Sequence, residues 1–137
     1  MAGDLPEYYF RVRDNGAFVF RIDPDDRQRR IEMEQIAIAN LRNGEIRAHG
    51  DRKLTEADEE AIRDWMTDRA ELLAARELDD ILRTVDHLNL TAQWAQSKAG
   101  DLQLEAVTDQ LLMAMHDLRS VLVRRKAERL MKERRDE

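Results

Sequence analysis

A change of composition near Leu54 constrains this chain more than any motif in it. Residues 54–137 contain one glycine, no proline, and 47 Ala, Glu, Lys, Leu or Arg in 84 positions. That bias belongs to long helices and coiled coils. Residues 1–53 hold both prolines, four of the five glycines and five of the seven aromatic residues, the punctuation of short strands and turns. The two halves demand different secondary structure, so the expected fold class is α+β by segregation. A small antiparallel β-meander over 1–53 precedes an antiparallel helical hairpin or three-helix arm over 54–137.

In the first half, Tyr8, Phe10 and Val12 alternate with Tyr9, Arg11 and Arg13, and Phe18, Phe20 and Ile22 alternate with Val19, Arg21 and Asp23. A side-chain period of two is that of a strand. Asn15-Gly16 between these runs predicts a two-residue hairpin turn with glycine at positive φ. Pro24-Asp25-Asp26 predicts a further turn. The residues from Arg30 to Glu34 alternate again, but the apolar parity changes between Met33 and Ile36, which predicts a bulge or a break. Asn43-Gly44 predicts a second hairpin, for about four strands in all.

In the second half, Thr55 is a natural N-cap, followed by Glu56, Asp58, Glu59 and Glu60 where the helix dipole favours negative charge. Ala61, Ile62, Trp65 and Met66 continue with helical spacing, and Leu78, Leu82, Val85 and Ala92 extend a narrow stripe. No Gly or Pro interrupts residues 54–99, which leaves one helix or two kinked near Leu72–Arg76. Gly100-Asp101 reads as a stop with glycine at the left-handed C′ position and aspartate capping the next helix. Beyond it, Leu104, Val107, Leu111, Leu118 and Leu122 lie on a heptad seam. Further apolar residues, among them Leu112, Met113, Met115, Leu130 and Met131, widen the stripe beyond what two helices cover between them. The residue 55–73 helix, the sheet or another chain must cover them, and packing within the chain accounts for most of this surface; beyond Leu118 a partner helix is the expected cover, most simply in a homodimer that completes a four-helix bundle.

Charge is uneven. Residues 1–53 carry ten groups of each sign; residues 54–117 carry five basic and fifteen acidic; residues 118–137 carry eight basic and four acidic, giving the net −6 of the chain. Arg124, Arg125, Lys126 and Arg129 in the basic end are candidate phosphate contacts. Against that reading, cations near a helix C-terminus already favour the dipole, Glu128 and Glu133 dilute the field, and no aromatics interleave to stack bases. The final turns have little to bury, so fraying is expected from about Arg124 onward. The arginines of the strands (Arg11, Arg13, Arg21, Arg29, Arg30) could give a basic, aromatic-containing face that binds RNA or acidic peptide. No RNP-type pattern is present and acidic residues are interspersed, so the expectation is a solvated sheet face or, where the helices cover it, pairing with helix carboxylates.

Several classes of chemistry find no residues to carry them. The absence of cysteine removes disulfides and thiolate chemistry. There is no glycine-rich phosphate loop and no nucleophile elbow. Asp86-His87 and His116-Asp117 straddle Gly100, but no His-x-x-x-His or Glu-x-x-His spacing places two ligands on one helix, so neither a metal nor a cofactor is expected. No apolar run approaches the ~20 residues of a membrane span, and the first residues are acidic rather than signal-like. The expectation is a cytoplasmic, non-enzymatic protein–protein interaction module that engages an unidentified protein partner through an oligomerising helical arm. The alternative is a nucleic-acid-associated regulator acting through its basic end.

Overall fold

The computed structural model describes residues 5–23 and 31–137. Four strands, β1 (Tyr8–Arg13), β2 (Gly16–Asp23), β3 (Glu32–Asn40) and β4 (Ile46–Ala48), precede two helices, α1 (Glu56–Ser97) and α2 (Asp101–Arg135). The strands form one antiparallel sheet in the order β1-β2-β3-β4, and the α+β class holds. The expected turn at Pro24-Asp25-Asp26, and the positions of Arg29 and Arg30, lie outside the described residues. The strand-to-helix change falls between Ala48 and Glu56. The compact units are residues 1–81 and 82–137, because the first turns of α1 supply part of the sheet's core.

The first hairpin corrects the expected role of its glycine. Arg13 pairs with Gly16, so Asp14 and Asn15 are the turn residues and Gly16 opens β2. Gly16 does not take a positive φ; that conformation belongs to Gly44 and Gly50. Its lack of a side chain serves a close approach instead, for a Cβ there would lie 1.9 Å from the Ala39 carbonyl oxygen of β3. At the second hairpin the expectation holds, with Gly44 at φ 74°. The Asn40 side chain accepts from the Arg42 N–H at 2.8 Å, and the Asn43 side chain from the Glu45 N–H at 2.9 Å.

The predicted irregularity between Met33 and Ile36 is a bulge inside one continuous strand: Val19 pairs with Ala37 while Phe20 pairs with Gln35, leaving Ile36 as the extra residue. The bulge lets Ile36 and Ala37, neighbours in sequence, both sink into the core at 2% and 0% exposure. Two turns fix the hairpin registers, and the registers decide the faces. Phe10 pairs with Val19 and Tyr8 with Arg21, so Val19 and Arg21 turn toward α1 while Phe18 and Phe20 turn away. The sheet is therefore apolar on both faces.

The core beneath the first face gathers Val19, Ile36, Ala37 and Ala39 around Ile62 of α1, with Tyr8, Phe10, Ile46, Leu54 and Met66 packed against it. Phe10 stacks on Trp65, centroids 4.8 Å apart and rings parallel. One polar cluster fixes the helix to the sheet. Thr55 and Asp58 form a reciprocal capping box: the Asp58 N–H donates to Thr55 Oγ1, and the Thr55 N–H to Asp58 Oδ2, each at 3.0 Å. The same carboxylate accepts from Tyr8 Oη at 2.6 Å and from Arg21 Nη2 at 2.6 and 2.5 Å. Asp58 is buried, at 1% exposure. Burial pushes its carboxyl up, but the hydrogen bonds from Tyr8, Arg21 and Thr55 outweigh that and hold it at about 2. Burial, together with the bond to Asp58, pushes the Tyr8 phenol up to about 12.

Between residues 55 and 99 there is one helix, Glu56–Ser97, rather than two. The 42 residues of α1 run about 63 Å, and the 35 of α2 about 52 Å, at 1.5 Å per residue. Gly100 is the N-cap of α2 in extended backbone (φ −84°, ψ 167°), not a left-handed C′ residue, and Asp101 is the first helical residue. The cap is completed from the N3 position, where the Gln103 side chain accepts the Gly100 N–H at 3.0 Å. No helix among the described residues is long and apolar enough to cross a membrane.

Candidate interaction surface

In the unit formed by residues 82–137, loss of solvent is confined to the neighbourhood of the three-residue link. Thr91, Trp94 and Ala95 on α1 and Leu104, Val107 and Leu111 on α2 are half-buried, the pattern of a helical hairpin closed at its turn. The seam residues thus divide. Leu104, Val107 and Leu111 are half-buried, whereas Leu118 and Leu122 remain 49% and 60% exposed. No residue of α2 is fully buried, and everything after Leu111 is exposed.

What stays open is large and apolar. On α2 it comprises Leu112, Met113, Met115, Leu118, Val121, Leu122, Val123, Leu130 and Met131, each 43% exposed or more. On α1 of the same unit, Leu82, Val85, Leu88 and Leu90 are also exposed. Contiguous apolar surface is uncommon on monomeric proteins. Val121 and Leu122 follow Leu118 at i+3 and i+4, so these three residues share one face of α2.

The basic end does not show the expected fraying from about Arg124: it is helical through to Arg135. Arg124 Nε and Arg125 Nη1 lie 3.9 and 3.3 Å from the Glu128 carboxylate, on the same helix, and Lys132, Arg134 and Arg135 complement the helix dipole at the last turn. Such exposed pairs are each worth only a few tenths of a kcal/mol, but they draw two of the four candidate phosphate contacts toward Glu128. Lys126 and Arg129 line a shallow depression with Leu122, Arg125, Glu128 and Lys132. All six are α2 residues, so this is a furrow between side chains of one helix and not an enclosed site.

The histidines are exposed. His116 Nδ1 sits 3.6 Å from Asp117 Oδ1 with both side chains in solvent, and the His87 carbonyl accepts from Thr91 Oγ1. Among the described residues, no three His, Asp or Glu side chains gather where they could hold a metal ion. The strand arginines divide between the two sheet faces. Arg21 pairs with a helix carboxylate, one of its two expected outcomes. Arg11 and Arg13 lie on the opposite face over the Phe20 and Phe18 rings, at 4.5 and 5.0 Å from the centroids.

Sequence reasoning missed the Tyr8–Arg21–Asp58 cluster and the arginine–aromatic pairs, both of which depend on strand register. No protein-family model matches the chain, and comparison with curated proteins and with solved structures finds no match.

Proposed function

We propose that this chain is a non-enzymatic interaction module of the cytoplasm, in which the helical arm is the working surface. The observation that carries this reading is the run of exposed apolar residues on α2 beyond Leu111. Burying a Leu, Val or Met side chain is worth roughly 1.5–3 kcal/mol, so covering even four of them supplies the driving force of a stable complex. The simplest cover is a second copy, two hairpins packing into a four-helix bundle of the kind that exposed heptad rows specify. An adaptor or small regulator uses such a bundle to present further partners on its rim.

Co-expression of tagged and untagged copies tests the reading. The tagged chain is expected to retain the untagged one, Leu118→Asp in both copies to abolish retention, and Arg124→Ala with Arg125→Ala to leave it intact. Far-UV circular dichroism confirms that the variants stay helical. The reverse sensitivity, arginine variants losing retention while Leu118→Asp keeps it, contradicts the reading.

A further inference from the structure

The sheet face turned away from α1 has an ordered composition. The registers place Arg11 opposite Phe18, Phe18 opposite Ile38, and Ile38 opposite Arg47. One cross-strand row therefore reads Arg-Phe-Ile-Arg from edge to edge, with Arg13 beside Arg11 on the same face. Along the strands the apolar centre continues through Phe20 and Met33, with Tyr9 beside Phe20 at 6.1 Å between centroids. Tyr9, Met33 and Ile38 are 42%, 41% and 37% exposed. None of the described carboxylates pairs with Arg11, Arg13 or Arg47: the first two rest on phenylalanine rings, and Arg47 is exposed. The face thus has an apolar centre on β2 and β3, with the guanidinium groups of β1 over its phenylalanine rings and Arg47 on β4, none of them paired with a carboxylate among the described residues.

We infer that this face is a docking site for an amphipathic helix whose apolar stripe is flanked by carboxylates, supplied by a protein partner. Dimensions and charge select the occupant. Three strand spacings separate Arg11 from Arg47, about 14 Å, and a helix is about 10 Å across. A helix laid along β2 and β3 sets its stripe on the exposed Ile38 and Met33 and brings Glu or Asp side chains at its flanks within reach of the arginines of β1 and β4. Guanidinium groups resting on rings keep their N–H edges directed outward, where they bind carboxylates in bidentate fashion. Single-stranded RNA fits less well: base stacking needs open ring faces, and here Phe18 and Phe20 already carry guanidinium groups while Phe20 is only 8% exposed.

The inference is independent of the helical arm, and its test is kept so. Fluorescence anisotropy of the full chain carrying Leu118→Asp uses three labelled probes. These are an 18-residue helical peptide with leucine at i, i+3, i+4 and i+7 and glutamate at the flanks, the same peptide with lysine for glutamate, and a 12-nucleotide poly-U RNA. Saturable binding of the glutamate peptide, at least tenfold tighter than the lysine peptide, is expected, with a further tenfold or greater loss in Arg11→Gln/Arg13→Gln/Arg47→Gln. Near-ultraviolet circular dichroism from the Phe10–Trp65 pair on the other face checks that the variant folds. Equal affinity for the glutamate and lysine peptides, no effect of the arginine changes, or tighter binding of the RNA than of the glutamate peptide overturns the inference. If the peptide binds the parent chain but not the Leu118→Asp background, it sits on the arm and the inference also falls.

Discussion

Asp58→Asn isolates the interaction that fixes the first turn of α1 to the sheet. The change keeps the size of the side chain and removes its charge, so its cost approximates what the carboxylate gains over a neutral isostere. The structure sets the scale. The carboxyl titrates at about 2 in the folded chain against an ordinary 3.8. A tenfold change in proton affinity is worth about 1.4 kcal/mol, which gives about 2 kcal/mol at neutral pH. The folded value is the lower one, so this contribution is complete above about pH 5 and drains away as the pH falls through 2. The parent chain should therefore lose about 2 kcal/mol of stability across that window, while Asp58→Asn starts about 2 kcal/mol lower and stays flatter. Urea titrations at pH 7, 4 and 2.5 measure this, followed by Trp65 fluorescence in a Trp94→Phe background so that the signal comes from the ring stacked on Phe10. A cost below about 0.5 kcal/mol at pH 7, with parent and variant curves parallel between pH 5 and 2, would refute the reasoning.

Other predictions concern single features. Tyr8 titrates at about 12 because of burial and its bond to Asp58; its contribution is complete below pH 10 and lost through pH 12, so Tyr8→Phe should flatten the alkaline limb of the stability curve. Gly16→Ala forces backbone apart, since its Cβ meets the Ala39 oxygen, and should cost about 3 kcal/mol or more in thermal or urea unfolding, beyond ordinary overpacking. The basic end is expected to bind labelled duplex DNA and single-stranded RNA weakly at low salt and negligibly at physiological salt, in keeping with counterion release from few contacts. Micromolar binding at physiological salt that disappears in a chain ending at Val123 favours the nucleic-acid reading instead.

Much of this architecture is legible in the sequence. Alternation, the Asn-Gly pairs and the parity slip before Ile36 locate the strands and the bulge, and the Gly- and Pro-free run after Leu54 locates the helices. What they do not locate is the sheet's two-sidedness. A period of two says that a strand has two faces but not which face meets the helix; that is settled by whether Gly16 belongs to the turn or to the strand, a one-residue difference that exchanges Val19 for Phe20. The Tyr8–Arg21–Asp58 cluster is hidden for the same reason, Asp58 being 37 and 50 residues from its two partners in sequence. One signal does point to it: Thr55-x-x-Asp58 is a capping box with aspartate at N3, and a capping carboxylate beside a buried helix turn retains acceptor capacity for a partner across the core. Whether Gly100 closes one helix or opens the next is likewise undecided by composition, because glycine serves at either cap.

The central claim is that the exposed stripe of the arm is covered by a second copy of the chain, and sedimentation equilibrium of the full chain across the micromolar range tests it most directly. The expected result is a species of twice the 16.1 kDa chain mass that Leu118→Asp returns to the monomer without loss of helicity. A single 16.1 kDa species at every concentration would contradict it.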